Sequence, residues 1–306
     1  MSTFHDDGVS NDSTNLSFAE VLEHSQRRRE FLKGSLAAAS ATLAGVPLLA
    51  ARSTAQAQTY TATPGLGFRP VPVSDADTLV VPEGYRADVL IAWGDPINDP
   101  TRYFRFDASN TAADQEVQWG MHNDGMHYFP FNEPTRPIFG GAPVPSSRRG
   151  LLVSNHEYTD DGLLHTDGMR TWTADKVKKS QAAHGVSVIE LLYDGSNWRV
   201  VRPSRYARRI TAYTPTRVSG PAAGHPLLRT AADPTGTRVL GTLNNCANGY
   251  TPWGTYLTCE ENFNGYFAHS GTISAEQRRY GISATGGGYR WHEHDERFNA
   301  ALHPNE

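Results

Sequence analysis

The chain has 306 residues, with 28 Lys and Arg against 32 Asp and Glu and a formal net charge of −4. That balance offers no broad basic field, which excludes nucleic acid as an electrostatically recruited partner. The length is enough for one large domain with a real core, and six Trp, thirteen Tyr, 28 Gly and 19 Pro point to β-structure joined by turns.

The first predicted element is an export signal. Arg28-Arg29-Glu30-Phe31-Leu32-Lys33 is a twin-arginine signature, preceded by a further Arg27. A mildly apolar stretch over 34–51 follows, then Ala55-Gln56-Ala57, a small-x-small cleavage site before Gln58. A positive region, an apolar region and small residues at a cut site define a secretory signal peptide, and the arginine pair is an address read by the twin-arginine translocase. A stable membrane anchor fits poorly, because Pro47 and many Ala, Ser and Gly make the span short and weakly apolar. The expectation is a signal peptide over 1–57, a mature part over 58–306 and a periplasmic or secreted destination. This route carries folded proteins, which suits a cofactor inserted before export.

The mature part reads mostly as strands. Strands are predicted over 85–93, 150–154, 186–192, 198–201, 208–213, 239–243 and 254–258. Asp194-Gly195-Ser196-Asn197 makes a hairpin turn between two of them. Short helices are predicted over 175–181 and 274–277. Long loops over 98–118 and 214–234 are places where function collects. The pattern predicts an all-β fold.

The chemistry-bearing stretch runs from Asn244 to Asn262. It holds both cysteines, Cys246 and Cys259, and the carboxylate pair Glu260-Glu261 in a polar turn followed by a strand. Thiolates suit iron, zinc or copper and carboxylates suit harder ions, so one hairpin can serve a mixed metal centre. A surface hairpin closed by a Cys246–Cys259 disulfide is the competing reading, since a paired sulfur offers no thiolate. Two apolar strands end alike: 151–154 runs into Asn155-His156-Glu157, and 255–258 runs into Cys259-Glu260-Glu261-Asn262. Propeller blades place such strand ends around one axis, although two unrelated strand ends give the same pattern.

Other candidates have plainer readings. His122, His127, His156, His165, His184 and His225 lack the spacing of a zinc motif and are expected to be mostly structural. Asp160-Asp161-Gly162 and Asp167-Gly168 lack EF-hand spacing and read as turns. Trp93, Trp253 and Trp291 read as packing residues, and Arg208-Arg209 as a solvated strand edge.

Motifs across the chain resemble those of the PhoX-type alkaline phosphatases. They include Val81-Pro82-Glu83-Gly84-Tyr85, Trp93-Gly94-Asp95-Pro96, Asn123-Asp124 and Ser154-Asn155-His156-Glu157-Tyr158. They continue through His184-Gly185-Val186-Ser187-Val188, Gly220-Pro221-Ala222-Ala223-Gly224-His225 and Ala232-Asp233-Pro234 into the cysteine segment. Trp291-His292-Glu293-His294-Asp295 and Pro304-Asn305-Glu306 close the series. Together they cover nearly all of 64–306.

The resemblance implies an exported, six-bladed β-propeller that hydrolyses small phosphomonoesters at an oxide-joined iron pair ringed by calcium; a monomer is expected. It implies Cys246 as an iron ligand and Glu157, Glu261 and Glu306 as metal ligands. Glu260 stays an alternative to Glu261, because adjacent strand residues face opposite ways and a bulge reverses the choice. Asn123 and Asn262 are candidates for calcium shells or phosphate contacts, or else turn caps. Family members continue past Pro304-Asn305-Glu306, so the expectation is an incomplete set of blades, inactive alone. Another calcium-dependent propeller hydrolase, a lactonase or phosphodiesterase, and a non-catalytic calcium-binding remnant are the rival readings.

Overall fold

The structure is a computed structural model, and it describes residues 68–133 and 144–305. The export signal and Glu306 lie outside the described residues. The chain divides at Tyr85 into a first unit, of which 68–85 are described, and a second running from Arg86. In the first unit the Phe68 and Tyr85 rings meet edge to face at 5.3 Å. No described helix is long and apolar enough to cross a membrane.

The second unit is built on a five-stranded antiparallel sheet. Strands β1 (Asn123–Glu133), β2 (Val144–His156), β3 (Gly185–Tyr193) and β4 (Trp198–Val200) follow one another across it, and β5 (Arg208–Ile210) also pairs with β3. Strand β3 is central because its sequence is apolar on both faces. Val186 and Val188 point to one side, where they pack with Val153, and Ile189 and Leu191 point to the other, with Ile97 and Trp119. Such a run seeks cover on both sides. On one edge β3 pairs with β2 from Gly185 to Leu192; the other edge is shared, Val186–Val188 by β5 and Leu191–Tyr193 by β4.

Strand β1 was not foreseen. Its opening Asn123-Asp124-Gly125 reads as a turn, and Pro130 removes a ladder donor. It forms because it lies at the sheet's edge, where a proline is tolerated, and because the register slips between Pro130 and Asn132 and again between Asn123 and Met126. The predicted strand over 85–93 is absent. Its apolar residues Leu90 and Ile91 instead pack without ladder partners against the Ile97–Trp119 cluster. Packing satisfied the alternation without a ladder partner.

Two small hairpins follow: β6 (Pro215–Arg217) with β7 (Arg238–Leu240), and β8 (Asn245–Tyr250) with β9 (Tyr256–Glu260). Helices are short apart from α3: α1 (Ala112–Gln115), α2 (Asp161–Leu164), α3 (Ala174–Ala183) and α4 (Ala275–Arg279). Thr173 starts α3 by accepting from the Lys176 amide, and Ser274 starts α4 with Gln277 in a reciprocal capping box. Both satisfy otherwise orphaned donors. The described fold is therefore mostly antiparallel β with few helices.

The largest apolar cluster gathers Trp172, Val177, Tyr266, Trp291 and Phe298, so α3 and the segments after β9 share one core. Trp291 is a packing residue as expected, with no exposed surface, whereas Trp253 is 79% exposed and does not pack. Arg209 also departs from expectation. Its guanidinium is turned inward, donating to Ser187 Oγ and to the Ala182 and His184 carbonyls, so it ties β5 to the end of α3.

Gly185, between α3 and β3, tests this junction. Its φ is +99°, and a Cβ there would lie 2.0 Å from the Ile210 carbonyl oxygen. Gly185→Ala is expected to destabilise the protein by about 3 kcal/mol, from strain plus overpacking. Thermal unfolding reads this as a fall of roughly 6–12 °C. An unchanged midpoint would mean that β5 does not hold this junction.

Candidate metal centre

Four chain segments bring acids to one place. The first is the start of β1, where Asn123 pairs with His156 and the register slip frees Asp124 from the ladder. Gly125 follows, and a Cβ there would lie 2.7 Å from the Asn248 side chain, so only glycine lets β8 come this close to β1. The second segment is the end of β2. His156 is wholly buried, with its Nε2 2.6 Å from Ser187 Oγ, and it anchors the strand end. Glu157 comes next, and its amide donates to the His122 carbonyl at 3.0 Å.

The third segment is β8. The β8–β9 register slips between Asn245 and Asn248, which puts Cys246 and Ala247 in a bulge. Bulges re-aim side chains, and this one turns Cys246 toward Asp124 and Glu157. The ligand atoms of Asp124, Glu157 and Cys246 all lie within 4.8 Å of one another. The fourth segment follows β9. The Glu261 amide donates to the Asn244 carbonyl at 2.8 Å, and the Glu261 carboxylate accepts a hydrogen bond from the Cys246 thiol.

The electrostatics are those of anions crowded together. Hydrogen bonding to Asp124 and then to Glu261 keeps the Cys246 thiol protonated, with its pKa pushed up to about 12. Burial raises the Glu157 pKa, and the neighbouring Asp124 charge adds to it. Both shifts mark a place where negative charge is disfavoured until a cation arrives.

The expected site residues fall out as follows. Glu157, Cys246 and Glu261 come together. Glu260 does not: its Oε1 accepts from Thr242 Oγ1 at 2.6 Å and from the Leu243 amide at 3.0 Å. Since Glu260 pairs with Asn245 across the ladder, strand alternation sends it to the opposite face from Glu261. Asn123 is exposed, and its Oδ1 already accepts from Trp119 Nε1 at 2.7 Å. Asn262 begins a short 3₁₀ turn over Phe263–Tyr266 without a side-chain capping bond. Cys246 and Cys259 are both free thiols, so the disulfide reading fails here.

Asp124 belongs to the cluster and was missed as a ligand. The signal was present: like Glu157 and Glu261, it is a carboxylate beside an amide-bearing strand end. The histidines are structural or peripheral. His184 is buried between the Ser180 carbonyl and the Tyr266 hydroxyl, His127 stacks on Tyr250, and His225 caps a 3₁₀ turn. Asp160 caps α2, and Asp167 pairs with Lys176.

The profile of alkaline phosphatase PhoX matches residues 66–306. The chain belongs to the PhoX alkaline phosphatase family. A solved PhoX from Pseudomonas fluorescens, in complex with vanadate, a transition state analogue, is 45% identical with a TM-score of 0.71. The match covers 78% of this chain and 40% of that one, so the chain spans about two-fifths of its solved relative. No curated protein matches it.

Proposed function

We propose that this PhoX-family chain carries the thiol-and-acid part of a metal-dependent phosphomonoesterase, exported by the twin-arginine route to the periplasm or beyond. The observation that carries the reading is the convergence of Asp124, Glu157, Cys246 and Glu261, in a family with a relative that binds a phosphoryl transition-state analogue.

The donor set fits the metals that the family resemblance implies. One sulfur beside three carboxylates suits iron at the thiolate and calcium at the oxygens. Bound cations would neutralise a phosphate ester dianion and hold its attacking and leaving oxygens in line. This chain's own part is to hold the donors close together. The β8 bulge turns Cys246 inward, the β1 slip frees Asp124, and the Glu157 and Glu261 amides are tied to backbone carbonyls.

Asn262, with no capping bond of its own, is available to a calcium shell or a phosphate oxygen. In this reading the five-stranded sheet is one blade of a propeller and the β8–β9 hairpin belongs to the next. Glu306, where the resemblance places a further ligand, belongs to the same proposal. The partners are a small phosphomonoester and, during export, the twin-arginine translocase; the expected state is a monomer.

The test is hydrolysis of p-nitrophenyl phosphate by the protein loaded with iron and calcium, before and after chelation. Phosphate release that chelation abolishes is the expected result. Preferential cleavage of a diester or lactone would transfer the site to the rival hydrolases. Calcium binding with no iron and no turnover would identify a calcium-binding remnant.

A further inference from the structure

One buried side chain stands at the centre of the hydrogen bonds that link the segments carrying the cluster. Asn155 has no exposed surface. Its Nδ2 donates to the Cys246 carbonyl at 2.8 Å and reaches the Ala247 carbonyl at 3.4 Å, the two residues of the β8 bulge. Its Oδ1 accepts from Thr258 Oγ1 at 3.0 Å, in β9, three residues before Glu261. The Tyr256 hydroxyl lies 3.0 Å from the same Oδ1 and 2.8 Å from the Gly125 carbonyl, beside Asp124, with one proton to serve both. Thr258 Oγ1 in turn accepts from Asn245 Nδ2 at 3.0 Å, which closes the network onto the residue before Cys246. Asn155 itself stands two residues before Glu157.

A primary amide is what this place requires. It needs a donor toward the bulge carbonyls and an acceptor toward two hydroxyls, and an amide supplies both from one rigid plane. A carboxylate of the same shape would turn a lone pair on the Cys246 carbonyl. An aliphatic residue would leave those buried carbonyls unpaired.

We propose that Asn155 is the positioning residue of the centre: together with Tyr256 and Thr258 it clamps the Cys246 bulge and the strand ends bearing Asp124, Glu157 and Glu261 in ligating geometry before any metal arrives. This rests on the metal-centre reading above, and it acts through the ligands rather than on the substrate. Groups that orient metal ligands in this way govern how firmly the metal is held.

The experiment uses the full chain with Asn155→Asp, Tyr256→Phe and Thr258→Val, and with Leu191→Ala as a control destabilised in the Ile97–Trp119 cluster on the other face of β3, away from the network. Iron affinity is measured by equilibrium dialysis, and the thiolate-to-iron absorption band is recorded, all at matched folded fraction. In a Cys259→Ser background, the rate at which iodoacetamide alkylates Cys246 in metal-free protein is measured in parallel.

Asn155→Asp is expected to weaken iron binding by about 10–100-fold and to speed alkylation on the order of tenfold, the equivalent of one lost hydrogen bond. Tyr256→Phe and Thr258→Val should give smaller changes in the same direction, and Leu191→Ala none. Iron affinity and alkylation within twofold of the parent in Asn155→Asp would overturn the proposal, as would equal changes in Leu191→Ala. A parent that takes up no iron would sink the metal reading, while the alkylation arm would still decide whether Asn155 holds the bulge.

Discussion

Cys246→Ser is expected to lower affinity for iron by at least about a hundredfold while leaving calcium affinity within about threefold of the parent, because only the soft donor is lost. The substitution is gentle to the fold. The thiol is half-buried and its partners are Asp124 and Glu261, which a hydroxyl also satisfies. Iron and calcium per chain, measured by elemental analysis after dialysis, give the result directly. Loss of iron should take the thiolate-to-iron absorption band and any phosphate release with it. Iron retained at the parent's stoichiometry would mean that the carboxylates alone hold it, and Cys246 would be a bystander protected by its bulge. Cys259→Ser, on the exposed thiol, should leave iron binding intact.

The parts of this centre that sequence revealed are those that depend on local pattern. The last part of β2, from Gly150, and most of β3 are short apolar runs, and the β3–β4 turn carries an Asp-Gly pair. The helix starts at Thr173 and Ser274 follow from capping chemistry. The cysteine hairpin announced itself by composition.

What stayed hidden depends on partners distant in the chain. Strand β1 exists because β2 offers an edge that tolerates Pro130. Glu261 rather than Glu260 faces Cys246 because the extra residue lies in β8, not in β9, and nothing within Cys259-Glu260-Glu261 encodes that. Asp124 stood in the Asn123-Asp124 motif with no role of its own, and only the approach of Asn248 over Gly125 makes it a neighbour of Cys246. Arg209 reads as a surface charge until α3 presents its terminal carbonyls to it. Asn155 is an unremarkable amide in sequence, and its importance comes from four hydrogen-bond partners about a hundred residues away.

Acid should unfold the metal-free protein well before its surface carboxylates protonate. Two histidines, His156 and His184, are fully buried and neutral. Burial lowers the His184 pKa from 6.5 to about 4, despite the hydrogen bond to Ser180, and pushes His156 well below its ordinary value. In the unfolded chain both imidazoles take up a proton near pH 6.5, and in the fold they resist it. Their contribution to stability is therefore complete above about pH 6.5 and is lost as pH falls toward 4. For His184 the whole loss is roughly 3 kcal/mol.

Glu157 runs the other way. Its raised pKa means that the fold gains as pH drops, so it opposes the histidines, but it is half-exposed and weaker. Asp194 and Asp233, held at about 2 by hydrogen bonds from turn amides and side chains, lose their contributions only below the histidine window. The unfolding midpoint of metal-free protein should thus fall by about 10 °C between pH 7.5 and pH 5. His184→Gln should cost about 2 kcal/mol at neutral pH, through its bonds to Ser180 and Tyr266, yet flatten that dependence by about half. A midpoint that does not move between the two pH values would show that the buried imidazoles find protons or water in the fold, and that the packing of His184 against Tyr266 and Trp291, at 5.3 and 4.9 Å between ring centres, opens readily.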